Sequence, residues 1–149
     1  MKKPIEIVED VRKALETRNY DDFVNCFAQD AVLEMPFALE NTPSRFEGIE
    51  KIAERFGEKS QLHNINKLYK LHQVNAVIYQ STDPDTILLE LSLKGTNNAT
   101  SHSFNVASSV AVIRFKDGKI INYRDYPNTM GLAGAIGLLP QLAASLIKS

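Results

Sequence analysis

Between Ile5 and Arg18 the apolar residues follow a helical period. Val8, Val11 and Leu15 fall on one face with Ile7 and Ala14 beside them, and Pro4 fits the first turn, where no amide hydrogen is needed. Asn19 then predicts the cap of a second short helix, with Asp21 and Asp22 in its positively polarised first turn and Phe23, Val24 and Phe27 on its apolar side. Cys26 falls near that side and reads as packing. Ala31 to Phe37 reads as a strand stopped by Pro36, and the Asn41-Thr42-Pro43-Ser44 cluster beyond Leu39 reads as a loop suited to a pocket rim. From Glu47 the helical spacing returns in Ile49, Ile52, Ala53 and Phe56, with Gly57 as the stop. Three helices are thus expected ahead of the main sheet.

The stretch from Gln61 to Lys70 carries no clear period, and strand patterns dominate after it. Leu71 to Gln80 is one strand, closed by the turn Ser81-Thr82-Asp83-Pro84-Asp85. Ile87, Leu89, Leu91 and Leu93 then alternate with Leu88, Glu90, Ser92 and Lys94, the period of a strand with one buried face, and Gly95 to Ser101 ends it. Phe104 to Phe115 forms a long strand, Lys116-Asp117-Gly118-Lys119 a hairpin turn, and Ile120 to Tyr126 a last strand. Helices first and an antiparallel meander after them argue for an α+β layer structure rather than alternating β-α-β units. The tail from Gly131 to Ile147 is apolar, and Pro140 in its middle predicts two short helical turns.

A chain of 149 residues, 44% of them hydrophobic, can bury a core and is too short for two ordinary domains, so residues 1–149 are expected to form one. Seventeen basic and eighteen acidic side chains nearly cancel, and no basic stretch is interleaved with aromatics, which argues against nucleic acid as a partner. The N-terminal segment turns charged again at Glu9 and Asp10, which fits neither a signal peptide nor a membrane span, so no membrane association and a cytoplasmic location are expected. A single cysteine agrees with a reducing compartment, and the Asn98-Ala99-Thr100 triplet then matches the glycosylation pattern by chance.

Strand alternation puts Ile121, Tyr123 and Asp125 on one face of the last strand and Ile120, Asn122, Arg124 and Tyr126 on the other. A carboxylate among apolar neighbours is costly to ionise, and its pKa rises toward the range useful to a general acid or base. Asp125 is therefore the principal catalytic candidate. The alternative is that it caps the turn at Pro127-Asn128 or pairs with a basic residue, and parity alone does not decide.

His63, His72 and His102 lack metal-ligand spacing, so neither a metal nor another cofactor is expected. His72, at the start of a strand, is the second catalytic candidate, with a structural role as its alternative. Phe23, Met35, Phe37, Phe46 and Tyr123 are candidates to line a ligand cavity, although core filling explains such residues as readily. Glu90, Ser92 and Lys94 form a polar strip, read either as a pocket wall or as a solvated or subunit-contact face. Gly131, Gly134 and Gly137 do not form a dinucleotide fingerprint, and neither a phosphate loop nor a nucleophile elbow is present.

Taken together, Tyr20-Asp21-Asp22-Phe23 through Phe27-Ala28-Gln29-Asp30-Ala31-Val32, then Phe46-Glu47-Gly48, and Asp117-Gly118-Lys119-Ile120 leading to Arg124-Asp125-Tyr126, resemble the SnoaL-like division of the nuclear transport factor two-like superfamily. The resemblance implies a cone in which N-terminal helices pack on a strongly bent, mainly antiparallel sheet, with a ligand cavity at the open end and homodimers formed through the sheet. Within the superfamily, the ketosteroid isomerases carry their base before the proline that ends the first strand, where this chain has Met35, so that activity is rejected. Limonene epoxide hydrolase is similar along Lys119 to Tyr126 but needs an Arg-x-Asp pair where this chain reads Glu90-Leu91-Ser92-Leu93-Lys94.

The phenazine-biosynthesis PhzA and PhzB proteins look nearest, through Asp83-Pro84, Leu89-Glu90, Lys94-Gly95 and the tail from Ala135 to Leu142. That resemblance implies a carboxylate at the position of Asp125 working with a histidine near His72. The expected function is binding of a small cyclic or aromatic carbonyl or carboxylic compound, with isomerisation, cyclisation or condensation through Asp125. The alternatives are a non-catalytic ligand-binding or interaction module of the same fold and, less favoured, an epoxide hydrolase.

Overall fold

A computed structural model describes residues 1–40 and 42–147. Helix α1 (Pro4–Glu16) buries Ile7, Val8, Val11 and Ala14, while Leu15, expected on the same face, is only half-buried against the core. Helix α2 (Tyr20–Asn25) is capped by Asn19, whose side-chain oxygen accepts from the Asp22 amide at 3.1 Å. Phe27 does not extend this helix as expected. Cys26 ends it, and Phe27 opens β1 (Phe27–Glu34), so the first strand starts earlier than Ala31. A second strand, β2 (Arg45–Glu47), pairs antiparallel with β1 through Leu33 and Phe46. The helical reading from Glu47 fails there because Gly48, at φ +87°, separates β2 from α3 (Ile49–Arg55). Of the Asn41–Ser44 loop, Asn41 lies outside the described residues. Helix α4 (Gln61–Asn66), capped by Ser60, occupies the stretch without a clear period.

Four long strands follow: β3 (Tyr69–Gln80), β4 (Thr86–Asn97), β5 (Ser103–Lys116) and β6 (Lys119–Pro127). Strand β4 runs on past Gly95 to Asn97, whose buried side-chain oxygen accepts from the Ala99 and Thr100 amides and so builds the turn into β5. The β5–β6 hairpin turns through Asp117 and Gly118 at φ 51° and 76°, the left-handed pair that a two-residue turn between twisted strands requires. The sheet is six-stranded and open, in the order β2-β1-β6-β5-β4-β3. It is not a pure meander, because β1 lies parallel to β6 while every other pairing is antiparallel. One extra residue bulges out of β3 at His72, of β5 at Ser108 and of β6 at Ile121, and such insertions bend and twist a sheet.

The inner face packs Ile87, Leu89, Leu91, Ala111 and Ile113 against α1, Phe23 and Ile52 in one core. Arg12 and Glu16 of α1 also satisfy the outer edge of β3, one donating to the Val74 carbonyl at 3.1 Å and the other accepting from the Val74 amide at 3.0 Å. The tail forms two helices, as expected, α5 (Thr129–Ile136) and α6 (Leu139–Ile147), but the break between them falls at the left-handed Gly137 rather than at Pro140, which sits in the first turn of α6. Among the described residues no helix is long and apolar enough to cross a membrane.

Candidate functional site

Strand pairing fixes which side chains share the inner face near the end of β6. Asp125 lies opposite Ala111, and Tyr123 opposite Ile113, so both follow the buried row of β5. The expected third member, Ile121, is displaced by the bulge. Ile120 takes the buried place and Ile121 is half-buried. On the other side, β1 runs parallel with Leu33 at Tyr123 and Glu34 at Arg124, which brings Met35 alongside Asp125. Two residue pairs along the hairpin, Ser109 reaches the same inner face opposite Pro127.

The Asp125 carboxylate is half-buried, and its Oδ1 is sealed from solvent without a hydrogen-bond donor among the described residues. Burial pushes its pKa up to about 6, while the positive charge of Arg55 and the Ser109 hydroxyl act in the opposite sense. Near neutral pH both protonation states are within reach, which suits a proton-transfer group. Neither structural role considered for Asp125 is present. Asn128 caps α5 by accepting from the Gly131 amide at 3.0 Å, and Asp125 joins none of the ion pairs among the described residues. Tyr123 is buried beside Asp125, and burial together with that carboxylate raises its phenol far above the ordinary range.

Arg55, at the C-terminal end of α3, completes the cluster. Its Nη2 donates to the Met35 sulfur at 3.9 Å, and its guanidinium carbon lies 5.9 Å from the centre of the Phe46 ring. Sequence reasoning missed this residue, because a basic side chain in the last turn of a helix is ordinary complementation of the helix dipole. The signal was its spacing: Arg55 sits three residues after the fully buried Ile52, on the apolar stripe itself.

Met35 and Tyr123 thus lie beside Asp125, Phe46 faces Arg55, and the other expected residues lie elsewhere. His72 is exposed on β3, bonded to the Thr96 hydroxyl at 2.8 Å. Strands β4 and β5 separate it from β6, and its neighbour Gly95 pairs with Phe104 rather than with Ala111. Phe23 belongs to the core, with edge-on contacts to Phe27, Phe56 and Tyr123 at 5.1, 4.9 and 5.9 Å. Phe37 is 76% exposed and packs edge-on against Tyr126 at 4.9 Å. Alternation along β6 places Tyr126 on the face opposite Asp125.

Two concavities lie elsewhere. One of about 710 Å³ is bounded by Lys2, Asp10, Lys13, Asp22, Cys26 and Lys119, and one of about 590 Å³ runs between α1 and β3 past Arg12, Glu16 and His72. Asp125 lines neither. The Cys26 thiol in the first is pushed up to about 11, chiefly by burial, so it stays protonated and weakly nucleophilic. Among the described residues no group of three His, Cys, Asp or Glu side chains converges on a metal position.

Comparison with known proteins agrees with the family resemblance. The chain is 32% identical to the uncharacterized protein YesE of Bacillus subtilis over 111 residues, 73% of this chain and 70% of the relative. An uncharacterized PhzA/B-like protein of Pseudomonas aeruginosa is 27% identical over 96% of both chains. In three dimensions, a candidate isomerase from Bacillus subtilis matches with a TM-score of 0.71 at 24% identity, over 90% of this chain and 92% of that one. A candidate polyketide cyclase from Pseudomonas putida matches with a TM-score of 0.64 at 17% identity, over 91% and 99%. These two likenesses establish the fold. Residues 8–123 match the profile of the SnoaL-like domain, and the chain belongs to that family.

Proposed function

We propose that this SnoaL-like protein binds a small, mostly apolar molecule bearing a carbonyl or carboxyl group, and that Asp125 moves a proton on it during isomerisation, cyclisation or condensation. The observation that carries this reading is the sealed, unpartnered Oδ1 of Asp125 on the inner sheet face. A buried acceptor without a donor destabilises the fold by about 1–3 kcal/mol, and a functional role accounts for its retention. Raised basicity next to apolar walls is the environment in which a carboxylate abstracts a proton adjacent to a carbonyl and returns it elsewhere. Tyr123, kept as a neutral phenol, supplies a hydrogen-bond donor for the oxygen that gains charge. Epoxide opening is disfavoured because Glu90 and Lys94 are exposed, turned away from the inner row of Leu89 and Leu91.

We also read the protein as a cytoplasmic homodimer joined through the outer face of the sheet, where apolar side chains of β3, β4 and β5 remain exposed. The test of the catalytic reading pairs a panel of cyclic ketones and aromatic acids with the wild type and Asp125→Asn. A compound that raises the thermal midpoint of the wild type is carried into a turnover assay. The variant should lose activity by about a hundredfold or more while still binding. A compound turned over equally by both proteins would remove Asp125 from the chemistry and leave a binding module.

A further inference from the structure

We propose that Arg55 anchors the substrate of the Asp125 site and selects compounds that present an anionic oxygen, a carboxylate or a forming enolate, next to the C–H bond that Asp125 attacks. This rests on the acid–base reading of Asp125 given above. Three other arginines have strong acceptors: Arg12 pairs with Glu9 and Glu16, Arg45 with Glu34 and Glu47, and Arg18, although its buried Nε is unpaired, donates through both terminal nitrogens to the Asn66 and Tyr69 carbonyls. Arg55 forms no ion pair among the described residues. Its half-buried guanidinium meets a thioether and a ring face, neither of which is a strong acceptor.

Across Met35 from it stands Asp125, with its sealed oxygen lacking a donor. One group only donates and the other, when ionised, only accepts, yet they do not touch. A ligand that accepts from Arg55 and yields a proton to Asp125 satisfies both at once. Met35, Phe46 and Tyr123 around them suit an apolar body, and a guanidinium binds a planar carboxylate or enolate through paired N–H bonds.

The proton step follows from this placement. The C–H bond breaks, its hydrogen forms an O–H bond on the Asp125 carboxylate, and the electron pair left on carbon moves into a C=C bond. The adjacent carbonyl oxygen takes the negative charge and Arg55 holds it. Reprotonation by Asp125 at another carbon completes an isomerisation with no other reactant.

Benzoate and benzamide, equal in shape and unequal in charge, test the anchor by calorimetry together with amide shifts along β6. Wild type should prefer benzoate by about tenfold or more. Arg55→Gln should abolish that preference and Arg55→Lys should keep part of it. Retention of the preference in Arg55→Gln overturns the anchor, and so does failure of benzoate to bind the wild type. Asp125→Asn tests the underlying reading separately: removing the nearby negative charge should tighten benzoate severalfold. Unchanged benzoate affinity in that variant would overturn the acid–base reading while a preference lost in Arg55→Gln still supports the anchor.

Discussion

Burying the Asp125 carboxylate disfavours its charged form, so folding and protonation are coupled at this residue. Burial raises its pKa from an ordinary 3.8 to about 6, against the pull of Arg55 and Ser109. Between those values the folded chain holds a proton that the unfolded chain has released. The stability linked to it is fully present below about pH 4 and is lost as pH rises through about 6. Between about pH 4.5 and 7.5 the loss amounts to about 2 kcal/mol. Asparagine does not titrate, so in urea unfolding Asp125→Asn should gain about 2 kcal/mol on the wild type across that interval. Parallel stability curves would mean that the carboxylate is solvated. Asp125 was legible in the sequence because strand alternation puts it in phase with Tyr123. Arg55 was not, because helix spacing shows which face a residue occupies and not which strand that face meets. His72 misled for the same reason, since nothing local to β3 reveals that it lies at the far edge of the sheet from β6.

At the level of elements, the β3–β4 pairing depends on a close approach at Gly95. A methyl group there would lie 2.6 Å from the Lys70 carbonyl oxygen and 2.7 Å from the Phe104 ring, and the backbone atom cannot swing aside. Gly95→Ala should therefore lower stability by about 2–3 kcal/mol, read as a reduced denaturant midpoint at unchanged slope. A midpoint within error of the wild type would show that β3 shifts freely. Locally encoded features were readable in advance: the α1 stripe, the Asn19 cap, the Asp117-Gly118 turn and the division of the tail into two helices each rest on neighbours in sequence. The start of β1 was not, because Phe23, Val24 and Phe27 satisfy a helical spacing until Cys26 ends the helix. Nor were β2 and the parallel β1–β6 pairing. Three residues are too few for a period, and pairing partners distant in sequence leave no local trace.

For the whole molecule, the proposed homodimer rests on the outer sheet face. Val77, Tyr79, Leu88 and Val110 are 50%, 48%, 37% and 41% exposed, and pairing sets them in two adjacent cross-strand rows. One row runs Tyr79, Leu88, Val112 and Arg124, and the next Val77, Glu90, Val110 and Tyr126. Apolar side chains this extended across a sheet are what the proposed interface would bury. A twofold axis along β5 would lay β4 of one copy on β6 of the other, so that Leu88 faces Arg124 and Glu90 faces Tyr126 while the valines of β5 pack at the centre. Such a dimer needs about 800 Å² from each copy. Val110→Lys sets two cations near that axis, facing each other across a face that must dry to assemble. Sedimentation at micromolar concentration should then show a dimer for the wild type and a monomer for the variant. Far-ultraviolet dichroism should stay unchanged, because Val110 points away from the core row of Ala111 and Ile113. A monomeric wild type would instead leave the apolar rows to another partner, and a variant that still sediments as a dimer would move the interface off this face.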